Sequence, residues 1–275
     1  MFKFFKEEKL IFKMKKSAVI IGGGIIGLSI AYKYQLKYPE HNVTVLEKEK
    51  KIGTHQSGRN SGVLHCGLYY KPNSLKAKLA VSGIRQMTKF CEENKIQHEI
   101  CGKVVVATNN NESSTLDELA KRGKINGLKG LKFLSERELY EREPYVKAYK
   151  SLLVPEEGIV DFKAVQEKLK EKIIENGGNV YKNEKVIGLS NSNQNVVKTT
   201  SNKHFFDILF NCAGLHSDRI YTKLTRLKPK TKIIPFRGEY FKFKKDYQKY
   251  VNHLVYPVPD SKFPFLGVHF TRMID

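Results

Sequence analysis

The chain has 275 residues, of which 49 are Lys or Arg and 28 Asp or Glu, for a formal charge of +21. A hydrophobic content of 40% over this length supports a sizeable packed core in one large or two small domains and excludes a disordered chain. The lysines are dispersed, without a dense run beyond pairs such as Lys15-Lys16 and Lys244-Lys245, and accompany many Asn, Ile, Tyr and Phe residues, a bias that an AT-rich genome produces. Such a distribution speaks against nucleic-acid binding and leaves weak attraction to anionic lipid, as peripheral membrane association, and steering of an acidic substrate as the roles of the charge.

Residues Met1 to Lys16 mix Phe and Ile with Lys and Glu and contain neither an uninterrupted apolar run nor a small-residue cleavage site, so they do not read as a signal peptide. Met14-Lys15-Lys16 reads as a natural start, which makes 1–15 an N-terminal extension. Ala18 to Ile21 is a short buried strand, and Ile25 to Tyr38 carries apolar residues at helical spacing until Pro39 stops it. Between them lies Gly22-Gly23-Gly24-Ile25-Ile26-Gly27, a GxGxxG turn from strand to helix. Gly22 permits the tight turn, Gly24 admits a pyrophosphate close to the backbone, and Gly27 lets the helix pack on the strand, while the helix N-terminus offers N–H groups and a positive dipole end. A second buried strand, Val43 to Leu46, ends at Glu47, twenty positions after Gly27, where a carboxylate can accept from both hydroxyls of an adenosine ribose and would repel a 2′-phosphate. The turn alone serves NAD or FAD. No segment reaches the length of a membrane span, because the longest apolar run, Ala18 to Tyr32, is broken by these glycines.

The next segment, Gly53 to Tyr70, is rich in Gly, Ser and Asn with a single Arg, and its many donors suit the remaining pyrophosphate oxygens and the edge of a flavin. Asn73 is positioned to cap an amphipathic helix running to about Asn94, with Leu75, Leu79, Ile84, Met87 and Phe90 on its buried side. A strand at Val104 to Ala107 follows, then charged helical pieces over 112–142, a turn at Pro155 and Gly158, and a helix from Phe162 to Asn176 ended by Gly177-Gly178. Short strands dominate the rest: Val186 to Leu189, Val196 to Thr199, Phe205 to Cys212, Arg237 to Phe243 and Leu266 to Phe270. The pattern predicts an α/β fold in which a Rossmann-like FAD-binding domain, 16–90 with 155–225, is interleaved with a β-rich substrate domain, 91–154 with 226–275. Cys66, Cys91, Cys101 and Cys212 form no CxxC pair and no metal-ligand spacing with histidine, and read as reduced structural thiols of a cytoplasmic protein.

The run HQSGRNSGVLHCGLYYKP, the turn PEEGIVDF at 155–162, NCAGLHSDRI at 211–220, PFRGEY at 235–240 and FPFLGVHFTRMID at the end together resemble the L-2-hydroxyglutarate dehydrogenase (oxidase) family, one of the D-amino-acid-oxidase-like flavoproteins. The resemblance runs from about Lys15 to Asp275. It implies noncovalent FAD and oxidation of a small dicarboxylate 2-hydroxy acid, L-2-hydroxyglutarate, to 2-oxoglutarate, with electrons passed to oxygen or a membrane quinone chain. On this sequence Gly22, Gly24, Ile25, Ile26 and Gly27 would meet the pyrophosphate and Glu47, with Lys48 beside it, the ribose. Ser57, Asn60, Ser61 and Gly62 would line the flavin side, Val186 would bond adenine through its backbone, and Ala213-Gly214 would form the second close approach to the cofactor.

Moving a hydride from C2 to flavin N5 requires a base for the hydroxyl proton, and histidine is suited to it. His65 and His269 lie in the two segments most specific to the resemblance, and His216 is a third candidate. A dianionic substrate calls for cationic forks, for which Arg237, Arg272 and Arg59 are candidates, with Tyr69 and Tyr70 as hydroxyl donors. Members of the family continue through a C-terminal segment that closes over the flavin. The 275 residues alone are therefore expected to hold FAD weakly or not at all. Alternative readings are a related flavoprotein that oxidises an amine or glycerol 3-phosphate, and an inactive nucleotide-binding fragment.

Overall fold

Ser17–Ile21 is a strand whose residues from Ala18 onward are buried on both faces, as an inner strand of a parallel sheet requires. The computed structural model, which describes residues 15–190, 195–260 and 267–274, pairs it in parallel with Asn42–Leu46 on one side and Ile208–Asn211 on the other. Asn179–Tyr181 extends the sheet beyond Asn42–Leu46, again in parallel. The helix Ile25–Lys37 leaves the first strand through the glycine turn and ends just ahead of Pro39. A three-stranded antiparallel sheet follows, Val186–Leu189, Val196–Thr199 and Lys203–Phe205. Its Val186 and Val197 pack with Val19, Ile21, Leu46 and Phe206 in one apolar cluster.

The chain divides into two compact units, 1–57 with 166–235 and 58–165 with 236–275, and the boundary falls inside the helix Phe162–Glu175. The second unit therefore takes in 58–90, which the sequence reading assigned to the first. Its larger sheet runs in the order Phe270–Thr271, Leu254–Pro257, Lys103–Ala107, Lys150–Val154, Lys132–Leu134, antiparallel except where Leu254–Pro257 runs alongside Lys103–Ala107. A smaller sheet sets Gly158–Val160 between Val63–Leu64 and His98–Glu99, antiparallel to both.

Four expectations change. The helix Leu75–Glu93 is capped by Ser74, whose side chain accepts from Ala77 N at 3.2 Å, while Asn73 takes a left-handed conformation at φ 65°. That helix buries Ala77, Val81, Ile84 and Cys91, and leaves Leu75 and Leu79 exposed at 75% and 68%. The same helix lies close to the turn at Gly67, where a Cβ would come 2.9 Å from that of Ala80. The single strand expected over Phe205 to Cys212 is two, because Asp207 pins the chain: its carboxylate accepts from Ser17 N at 2.6 Å and its N–H donates to Ser17 O at 2.8 Å. The chain thus leaves one sheet and joins the other. Arg237 to Phe243 forms no strand and lies exposed, since alternating sequence makes a strand only where a ladder partner exists. Of the stretch Leu266 to Phe270, Leu266 lies outside the described residues and pairing begins at Phe270.

Candidate functional site

In the first unit the glycine turn is held by its neighbours. Gly22, at φ 113°, donates from N to Leu46 O at 2.8 Å, and a Cβ on it would lie 2.3 Å from Cys212 O. A Cβ on Gly27 would lie 1.9 Å from Gly22 O, so helix and strand meet there with no room for a side chain. Gly24 is the N-cap of the helix and offers no side-chain cap, and the first turn contains no acidic residue. The Ser57 hydroxyl accepts from Ile25 N at 2.9 Å and sits 3.0 Å from where a Gly24 Cβ would be. Apart from the Ser57 hydroxyl on Ile25 N, this helix N-terminus carries no side-chain cap of its own and no acidic residue, an arrangement that suits a diphosphate. Glu47 is buried at the tip of its strand, and its carboxylate accepts from Gly23 N at 2.7 Å and from Glu49 N at 2.9 Å. Those bonds tie the turn to the second strand.

The other candidates of this unit lie on both of its sheets and the segments that follow their strands. Ala213-Gly214 follows Ile208–Asn211, and Ala213 N is 3.3 Å from a Cβ built on Gly22. Val186 is buried in the apolar cluster and pairs with Thr199. Lys48 is exposed and pairs with Glu49 at 2.7 Å. His216 lies edge-on to His55 with ring centroids 6.3 Å apart, and burial, then Lys48 and Arg219, depress its pKa.

In the second unit Asn60, Ser61 and Gly62 lead into Val63–Leu64, and the Asn60 side chain accepts from Gly62 N at 2.8 Å. His65 follows that strand. Its Nδ1 lies 3.3 Å from Glu157 Oε2, and its ring is edge-on to Tyr256 at 6.2 Å. Tyr256 in turn lies 4.5 Å from the His269 ring, so one tyrosine joins the two histidines although His65 is distant from both in sequence. Arg272 forks onto the Glu99 carboxylate and also donates to Asn252 O at 3.3 Å. Arg237 is exposed and pairs with Glu239 at 2.6 Å, Arg59 is exposed, and the structure joins neither to the histidines. Tyr70 is exposed, whereas the Tyr69 hydroxyl is buried without a hydrogen-bond partner among the described residues.

The sequence reading passed over the centre of this cluster. Lys103 is fully buried, with Nζ 2.8 Å from Glu157 Oε2 and 4.5 and 5.0 Å from the ring centres of Tyr69 and Tyr256. Glu157 is buried too, and its Oε1 accepts from Cys66 N at 3.3 Å and from Cys66 Sγ at 3.2 Å. Burial opposes both charges, yet Lys103 together with His65 holds Glu157 below the usual carboxylate range, and Glu157 holds Lys103 above the usual lysine range. Burial and the Glu157 charge push the Cys66 thiol up, and burial pushes Tyr69 up to about 12, so both stay protonated donors at neutral pH. The available signals were slight: two adjacent glutamates inside a turn, and a lysine opening an apolar run.

A glycine turn between a strand and a helix of a parallel sheet, with an acid at the tip of the second strand, defines the class as a dinucleotide-binding protein. The family model of FAD dependent oxidoreductases (DAO) matches residues 17–275; the chain belongs to that family, and FAD is its cofactor. It is similar to the L-2-hydroxyglutarate dehydrogenase of Indibacter alkaliphilus, 46% identical over 262 residues that make up 95% of this chain and 66% of that protein. It is also similar to the mitochondrial L-2-hydroxyglutarate dehydrogenase of Homo sapiens, 39% identical over 270 residues, 94% of this chain and 58% of that protein. The chain thus spans less than two thirds of the length of these curated relatives. Among solved structures, a dithionite-reduced L-α-glycerophosphate oxidase from Mycoplasma pneumoniae with FAD bound superposes with a TM-score of 0.72 at 22% identity, over 89% of this chain and 65% of that one, a likeness of fold. No helix among the described residues is long and apolar enough to cross a membrane.

Proposed function

We propose that the protein oxidises L-2-hydroxyglutarate to 2-oxoglutarate with FAD. The observation that carries this reading is the name shared by relatives 46% and 39% identical over nearly the whole of this chain. Bound FAD supplies the acceptor, at N5, for the hydride from C2. The turn Gly22, Gly24, Ile25, Ile26 and Gly27 would meet the pyrophosphate, Ile25 once its N–H is released from the Ser57 hydroxyl, with Glu47 at the ribose hydroxyls and Ser57, Asn60, Ser61 and Gly62 on the flavin side. Val186 meets adenine through its backbone, and Ala213-Gly214 forms the second close approach. His65 takes the hydroxyl proton, with His269 across Tyr256 as its neighbour, while Arg237 and Arg272 take the two carboxylates. For Arg272 that role requires the substrate to replace Glu99, which holds it now. The electron acceptor would be oxygen or a membrane quinone chain, and the +21 charge favours peripheral contact with anionic lipid on the cytoplasmic side.

The test is anaerobic reduction of the FAD-loaded protein followed at the flavin absorbance. L-2-Hydroxyglutarate is expected to bleach the flavin faster than glycerol 3-phosphate, glycine or sarcosine. Faster bleaching by any of these three overturns the substrate assignment.

A further inference from the structure

We infer that Glu157 is a positioning residue for His65: it fixes the imidazole as the Nδ1–H tautomer and so presents Nε2 as the proton acceptor, with Lys103 as the buried counter-charge that makes the arrangement possible. The kinetic consequence rests on the reading of His65 as the base.

The sheet register creates the contact. Val63 pairs with Ile159 and Leu64 with Gly158, so the next residues along, His65 and Glu157, come to face each other as the two strands separate. Gly158 allows this, because a Cβ there would lie 2.3 Å from Glu99 O on the third strand. Gly102 N anchors the Glu157 carbonyl at 2.8 Å, one residue ahead of Lys103. The acidic side chain is thus set by backbone from three segments before any of its own bonds form.

Every group around the carboxylate is a donor or a cation. Cys66 N and Sγ face Oε1, while Lys103 Nζ and His65 Nδ1 face Oε2. An ionised carboxylate has only acceptor sites, so a neutral imidazole at this position satisfies it only with the hydrogen on Nδ1. Nε2 then carries the lone pair, on a side chain that is 47% exposed while Glu157 is 1% exposed. A solvated imidazole prefers the opposite tautomer, so the preference requires this contact. Lys103 is needed because a lone buried carboxylate would take up a proton and become a competing donor. Tyr69 and Tyr256 flank Lys103 with ring faces, and His269 packs on the far side of Tyr256, leaving no second carboxylate among the described contacts of His65.

The experiment reads the tautomer directly, on the chain itself and without cofactor. Two-bond 1H–15N correlation spectra of the imidazoles, with His65 assigned by the signals lost in His65→Gln, are expected to show Nδ1 protonated in the parent. In Lys103→Met/Glu157→Leu, which removes both charges and keeps apolar volume so that folding is retained, His65 is expected to revert to mainly Nε2–H. In the FAD-loaded protein the same double variant is expected to lose more than about tenfold in kcat with KM changed less than about twofold. A parent His65 protonated at Nε2, or a tautomer unchanged in the double variant, overturns the proposal. Turnover retained by His65→Gln overturns instead the assignment of His65 as base, and the spectrum still decides the contact.

Discussion

The glycine turn of the first unit and the buried Lys103–Glu157 pair of the second are both organising centres, built in opposite ways. The turn is local: six consecutive residues, mostly backbone, in which the absence of side chains is the working feature. A Cβ on Gly22 or Gly27 would collide with main-chain oxygens at 2.3 and 1.9 Å. The pair is non-local and made of side chains, with Lys103 and Glu157 54 positions apart and His65 a further 38 before Lys103. Removing atoms harms the pair and adding them harms the turn.

That contrast sets the order of expected effects. Gly27→Ala forces a Cβ onto the Gly22 carbonyl, which cannot yield without moving the strand, and is expected to cost more than about 3 kcal/mol, read as a fall in the denaturant midpoint. Retention of the parent midpoint would show that the turn is looser than its contacts imply. Glu157→Ala strands the buried Lys103 and is expected to destabilise by about 3–5 kcal/mol, while Lys103→Met/Glu157→Leu stays within about 1 kcal/mol of the parent. A single variant as stable as the double would deny that the two charges compensate each other.

The pair also makes an acid signature. Glu157 has a folded pKa below its ordinary 4.5, so its contribution is complete above that pH and is lost as pH falls below 4.5 toward the folded value. Thermal unfolding scans from pH 7 to pH 3 should show a steeper acid loss in the parent than in the double variant, and parallel curves would refute it. Glu47→Ala removes the carboxylate that receives Gly23 N and Glu49 N, for an expected loss of about 1.5–3 kcal/mol, together with weaker FAD binding by fluorescence titration. The smallest effect is expected at the exposed Arg237–Glu239 pair, where Glu239→Gln should shift stability by less than about 0.5 kcal/mol.

The same contrast explains what could be read from the residues. Helix Ile25–Lys37, strands Ser17–Ile21 and Asn42–Leu46 and the turn joining them follow from periodicity and glycine spacing within thirty residues. Helix Leu75–Glu93 was legible as a helix, but its buried face was not. Periodicity alone admits Leu75 and Leu79, whereas the packing of the second unit buries Ala77, Val81, Ile84 and Cys91. The break at Asp207 was invisible because it depends on a bond to Ser17, 190 positions away. His65 and His269 were legible as candidates, whereas the tyrosine that joins them and the carboxylate that faces His65 were not, since both lie far from His65 in sequence and only the fold brings them to it.

The sequence by itself determined the dinucleotide turn, the parallel strands around it and the chemical types available for the reaction, because those depend on local sterics and on short-range periodicity. Tertiary structure alone decided that a lysine and a glutamate with no distinguishing pattern would meet, fully buried, beneath a half-exposed histidine. The register of Val63–Leu64 against Gly158–Val160 makes that meeting, and register is a property of the paired strands that neither segment carries alone.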